Sequence, residues 1–219
     1  VGDGGPAVMA QLGGAEGVAV DKAGNVYIAD VIDHRVRKVS PGGWITTVAG
    51  NGHPGFKGDD GPAVAALLDS PYGLAVDLAG NLYIADMGNG RVRCVSTGGT
   101  IRTVAGGGLG RPNSDGGDPL ASKISPRNVA VASDGTLYVS DFADHRIYKI
   151  SREGQIFLYS GTGVVQSPAG LALDAAGALF VADSGNNRVL KIEEGRILTV
   201  AGGEKNALTL NTLYGPTGV

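Results

Sequence analysis

The chain has 219 residues, of which 38 are Gly and 10 are Pro, with 42% hydrophobic and 18% charged residues. It can bury a core and is no disordered tail, and a net charge of −3 excludes a strongly basic surface. One Cys excludes an internal disulfide and leaves the redox compartment open; no apolar run approaches the roughly 18 residues of a membrane span.

The chain opens on a turn-rich segment, Gly2-Asp3-Gly4-Gly5-Pro6-Ala7. Four short strands are then predicted, at Gly17-Val18-Ala19-Val20-Asp21, Val26-Tyr27-Ile28-Ala29-Asp30, Arg35-Val36-Arg37-Lys38-Val39 and Ile45-Thr46-Thr47-Val48. Period-2 alternation, β-branched residues and Gly-rich punctuation carry that reading. The turn-rich segment returns as Gly58-Asp59-Asp60-Gly61-Pro62-Ala63, and the same four strands follow from Gly73. A degenerate copy, Asp115-Gly116-Gly117-Asp118-Pro119-Leu120, precedes a third set from Asn128; a fourth set starts at Gly170 and a fifth start appears at Gly218. The starts are spaced by 56, 55, 42 and 48 residues, near the roughly 40–50 residues of four-stranded propeller repeats.

A lone four-stranded unit has two open edges and cannot bury both faces, and radial repetition answers that. The expected fold is an all-β propeller of four-stranded antiparallel blades. They fall at about residues 14–50, 70–106, 125–161 and 167–203, with 204–219 beginning a further blade. The innermost strands are expected at 17–21, 73–77, 128–132 and 170–174. Because Gly2–Ala7 matches the insert between blades, an outer strand is expected upstream of Val1, and the chain reads as a segment of a longer propeller or as one that closes by associating with further blades or domains, with four-fold closure the remaining alternative.

Each second strand ends in Asp, and five residues later comes Arg: Asp30/Arg35, Asp86/Arg91, Asp141/Arg146 and Asp183/Arg188. The intervening pairs, Asp33-His34, Asn89-Gly90, Asp144-His145 and Asn186-Asn187, tolerate positive φ and suit tight hairpins. Recurrence in every blade assigns the Asp/Arg set to structural bracing, since an enzyme site needs one asymmetric constellation.

At these residues the chain resembles the NHL-repeat family of β-propellers. A strand ending in Y-(I/V)-A-D or close variants, a hairpin turn ending in Arg, and V-x-K-(V/I) or close variants recur four times. The G-D-G-G-P-A inserts resemble those of bacterial secreted proteins and of teneurin-like cell-surface proteins. The resemblance implies six blades in the complete ring and favours an extracellular or periplasmic location. Cys94 stands where the family usually has a basic residue.

Among other groups, His34 and His145 occupy the hairpin-turn slot and His53 a loop. No HExxH, CxxC, EF-hand or G-x-S-x-G spacing occurs, so no metal, cofactor or catalytic residue is expected. Cys94 reads as an inert thiol, and the Asp/Gly inserts read as turns although their oxygens raise the question of Ca²⁺. One asymmetric ring remains. Glu16, Tyr72, Arg127, Ala169 and Thr217 sit just before each inner strand, at a constant position with changing chemistry, as in a repeat scaffold that builds one specific pocket. The same position resembles the one that supplies metal-binding His in the amidating lyases, and no blade here has His there.

The expected function is a non-catalytic scaffold docking a protein or glycan partner on one face. The alternative is a metal-dependent lyase or lactonase-like hydrolase with an axial site. RNA binding is disfavoured by the acidic balance.

Overall fold

In a computed structural model of the protein, residues 2–113, 115–160, 163–203 and 215–218 are described. Seventeen strands among them form four antiparallel blades. The first holds β1 (Ala15–Val20), β2 (Val26–Asp30), β3 (Arg35–Val39) and β4 (Ile45–Ala49). The second holds β5 (Gly61–Pro62), β6 (Pro71–Val76), β7 (Leu82–Asp86), β8 (Arg91–Val95) and β9 (Thr100–Gly106), in the spatial order β5-β9-β8-β7-β6. The third holds β10 (Pro126–Val131), β11 (Leu137–Asp141), β12 (Arg146–Ile150) and β13 (Ile156–Ser160). The fourth holds β14 (Pro168–Leu173), β15 (Leu179–Asp183), β16 (Arg188–Glu193) and β17 (Arg196–Gly202).

The inner strands β1, β6, β10 and β14 pack side by side in that order. Their backbones meet closely: a Cβ on Gly17 would strike the Tyr72 carbonyl, and one on Gly73 the Asn128 backbone. Only Gly permits such an approach. Beside Gly170 run Thr217 and Gly218, where a fifth inner strand was expected; 204–214 and 219 of that expected blade lie outside the described residues.

Three separate cores join consecutive blades. The first unites Tyr27, Ala29 and Val36 with Leu74, Ile84 and Ile101; the second Val92 and Ala105 with Val129, Val139 and Ile156; the third Tyr138 and Ile147 with Leu171, Val181 and Leu190. Stability is thus divided among nearest-neighbour interfaces, as in other repeat proteins. The free face of the first blade departs from this pattern. Val18 is 59% exposed, whereas its counterparts Leu74, Val129 and Leu171 are 6%, 1% and 8% exposed.

The inserts are more than turns. Gly61 and Pro62 add a fifth strand outside β9, and Pro6 bridges Trp44 in the same way on the first blade. The 3₁₀ turn that follows, Ala63–Ala65, packs against β4 of the preceding blade, and Pro119–Ala121 packs likewise against β9. The second and third inserts are therefore clasps across a blade boundary, and all three inserts also cover an open sheet edge. In the first two an Asp fixes the insert in place. Arg37 and Arg93 are fully buried in the third strands, and their guanidinium groups donate to Asp3 and Asp59 at 2.6 Å. Burial works against ionisation of Asp3, but the Arg37 hydrogen bond and charge, with the nearby Thr47 hydroxyl, hold its carboxyl below the usual range.

A second tie crosses the boundaries at the hairpins. His34 and His145 have positive φ, as expected for the turn slot, and each Nδ1 accepts the N–H of a Ser leading into the next inner strand: Ser70 at 3.1 Å and Ser167 at 3.0 Å. Asn187 does the same for Gly215 through its side-chain oxygen at 2.8 Å.

Removing Asp3 leaves Arg37 without its described acceptor. Asp3→Ala should lower stability by about 1–3 kcal/mol, measured by urea unfolding. The double variant Asp3→Ala/Arg37→Leu should recover most of that loss, because Leu190 occupies the equivalent position in the fourth blade. An unchanged midpoint in Asp3→Ala would show that the Asp3–Arg37 tie carries no stability.

Candidate axial binding site

The site begins with the four recurring Asp residues, all fully buried. Asp30 accepts the N–H groups of Gly13 and Gly14 through Oδ1 at 2.9 and 3.0 Å; Asp86 accepts that of Asp69 at 2.7 Å, Asp141 that of Ser125 at 2.9 Å, and Asp183 that of Gln166 at 2.6 Å. Each carboxylate thus holds the segment leading into its own inner strand. Three of the four also reach their hairpins: the side-chain amides of Asn89 and Asn186 donate to Asp86 and Asp183, and the Asp144 N–H to Asp141.

The signature Arg residues lie opposite these Asp in the ladders, in the pairs Asp30/Arg35, Asp86/Arg91, Asp141/Arg146 and Asp183/Arg188. Only the last is a direct ion pair among the described residues, Arg188 Nε to Asp183 Oδ2 at 2.7 Å. Arg35 instead donates to the Asn51 carbonyl, and Arg91 stacks over Phe56 at 3.7 Å. Asp86 takes its charge partner from Arg93, two residues further on, at 3.3 Å.

The ladder partner of each Asp is the first residue of the inner strand: Ala15, Pro71, Pro126 and Pro168. Immediately after it the register slips. Residues 16–17, 72–73 and 169–170 are left unpaired, and in the third blade only Arg127 is. A bulge re-aims the side chains it frees. It also explains why the strands start about two residues before the expected 17, 73, 128 and 170. The freed residues, with Thr217 and Gly218, line a cavity of about 100 Å³ at the axis, walled by Glu16, Tyr72, Arg127, Asn128 and Ala169.

The structure therefore brings together Glu16, Tyr72, Arg127, Ala169 and Thr217, the five positions singled out in the sequence. The Arg127 guanidinium carbon lies 3.9 Å over the Tyr72 ring and 5.6 Å from the Phe142 ring. Sequence reasoning passed over Asn128, which stands where the other blades have Gly17, Gly73 and Gly170. The break in the repeat was its signal.

Elsewhere, His53 is exposed in its loop, Cys94 is buried with its thiol pushed up by burial, and no three His, Cys, Asp or Glu side chains gather as a metal set among the described residues.

These features define the class: an arc of a β-propeller with one variable residue per blade at the axis. The NHL-repeat family model matches residues 12–39 and 165–192, in the first and fourth blades. The chain thus carries NHL repeats. Mouse teneurin-3 is 29% identical over 167 residues, covering 70% of this chain and 6% of teneurin-3. Peptidyl-alpha-hydroxyglycine alpha-amidating lyase 1 of Drosophila melanogaster is 30% identical over 181 residues, covering 71% of this chain and 30% of the lyase. Among solved structures, a chain of a nidogen/laminin complex superposes with a TM-score of 0.68 at 22% identity, covering 94% of this chain and 67% of that one. A virginiamycin B lyase from Staphylococcus aureus superposes with a TM-score of 0.64 at 17% identity, covering 91% and 59%. These likenesses show the fold. The chain spans a small part of the curated relatives it matches.

Burial raises the Asp86 carboxyl to about 6, against the lowering effects of Asn89, the Asp69 N–H and Arg93. The folded state then binds more protons than the unfolded one between the ordinary Asp value of 3.8 and about 6, so stability falls as pH rises through that window. In Asp86→Asn that slope should flatten by on the order of 1–3 kcal/mol across the window, measured by urea midpoints at successive pH values. Parallel profiles for parent and variant would refute it.

Proposed function

We propose that the protein is a non-catalytic binding module that docks a protein or glycan partner at the axial face of an NHL propeller. The observation carrying this reading is the bulge ring. Every blade delivers a residue of different chemistry to one small mouth, while the repeated residues are consumed in bracing. A rigid scaffold with a variable ring is how repeat proteins acquire specificity. The test is a glycan-array and peptide-display screen with the parent chain, Tyr72→Ala, and the rim variant Trp44→Ala. Binding should be lost in Tyr72→Ala and kept in Trp44→Ala; the opposite result would overturn the reading.

A second reading, a lyase or lactonase-like hydrolase, draws on the amidating-lyase relative. Glu16, Tyr72, Arg127, Ala169 and Thr217 offer one carboxylate and no imidazole at the axis, which favours the binding reading. Stoichiometric metal on the purified protein together with lyase or lactonase turnover would reverse that preference.

We further propose that the complete ring has six blades, so that other blades cover the free faces of this arc. Val18 and Val20, at 59% and 60% exposure, support this on the first blade, and Ile197 and Leu198 on the fourth. Apolar faces of that kind drive association. Light scattering on this chain alone should give a concentration-dependent mass above 22.0 kDa, and a strict monomer would count against the open faces.

A further inference from the structure

Building on the axial-site reading, we infer that the mouth recognises a carboxylate carried on a narrow stem, the side chain of an acidic residue in a peptide partner, with Arg127 and Asn128 as its donors. Three observations converge. First, the Arg127 guanidinium is fixed by Tyr72 and Phe142 at 3.9 and 5.6 Å, yet none of its N–H groups meets an acceptor among the described residues. Arg presents a planar fork matched to a carboxylate, and stacking leaves that fork in place. Glu16 lines the same cavity without forming an ion pair with it.

Second, the third blade alone departs from the repeat in two coupled places. Asn128 replaces Gly, and Ser140 replaces the Ala found at Ala29, Ala85 and Ala182. The Ser140 hydroxyl accepts the Asn128 N–H at 3.0 Å and donates to the Ala169 carbonyl at 2.7 Å. This shortens the bulge to Arg127 and fixes the Asn128 backbone beside it. The Asn128 side chain lies over Gly73, where any Cβ would collide with it, and its amide has no partner among the described residues. Ser140 acts here as a positioning residue.

Third, the cavity of about 100 Å³ is well below the roughly 300–1,000 Å³ of sites that enclose drug-sized molecules. It admits a carboxylate on a short chain and leaves a sugar ring outside.

The probes are a blocked Gly-Asp-Gly peptide, its Gly-Asn-Gly analogue and glucuronate, titrated into the chain and followed by NMR. The Asp peptide should shift the amides of Gly73, Arg127 and Asn128, and the Asn analogue should not. Arg127→Gln should weaken the response roughly tenfold or more. Asn128→Gly restores the residue of the other blades, so it keeps the fold and should weaken binding on its own. Equal responses to the Asp and Asn peptides, or an unaltered affinity in Arg127→Gln, would overturn the inference. Glucuronate binding as tightly as the peptide would overturn the narrow stem. No response to any acid would overturn the inference and leave the axial-site reading standing or falling on the Tyr72→Ala screen.

Discussion

The arc depends on one dehydrated carboxylate per blade. Asp30, Asp86, Asp141 and Asp183 have no exposure, and each accepts backbone N–H groups of the segment that delivers the inner strand. A buried carboxylate left without donors is costly, so these bonds fix the segment and, in the second to fourth blades, the hairpin beyond it. The first residue of the inner strand is held opposite the Asp, the ladder slips just beyond, and the freed residues point into the axis. Structural signature and candidate binding ring are two ends of one mechanism. The signature can stay constant while the ring varies.

Much of this was legible in the sequence. Alternation in Val26–Asp30 and its three copies identified strands, the spacing of starts identified blades, and one variable position per repeat singled out residues that line the axial cavity. What stayed hidden were contacts between residues far apart in sequence. Arg37 looks like any basic residue of an alternating strand, and only its recurrence with the insert, 34 residues after Asp3 as Arg93 is after Asp59, ties the two together. Where the insert is degenerate the position is Tyr148, and in the fourth blade it is Leu190. His34 and His145 read as turn residues, which they are. Their acceptor role toward Ser70 and Ser167 lies on the next blade, beyond any local pattern.

The third blade shows how a repeat departs from itself without losing its fold. Asn128 in place of Gly requires room over Gly73 and a reshaped bulge, and Ser140 supplies the hydroxyl that reshapes it. Neither change disturbs the core, where Val129, Val139 and Ile156 keep the packing of their counterparts. Departures of this kind mark residues released from the bracing scheme.

The clasp formed by an insert between blades alters what counts as one unit of this architecture. Gly61–Pro62 belongs to the sheet of its own blade, while Ala63–Ala65 rests on the sheet before it. A duplicated or transplanted segment cut at the blade boundary would carry the strand without the surface that its turn covers. The unit that can be copied intact is thus a blade together with its predecessor's outer strand. Gene-level rearrangement of such a propeller, natural or designed, would have to proceed in overlapping modules.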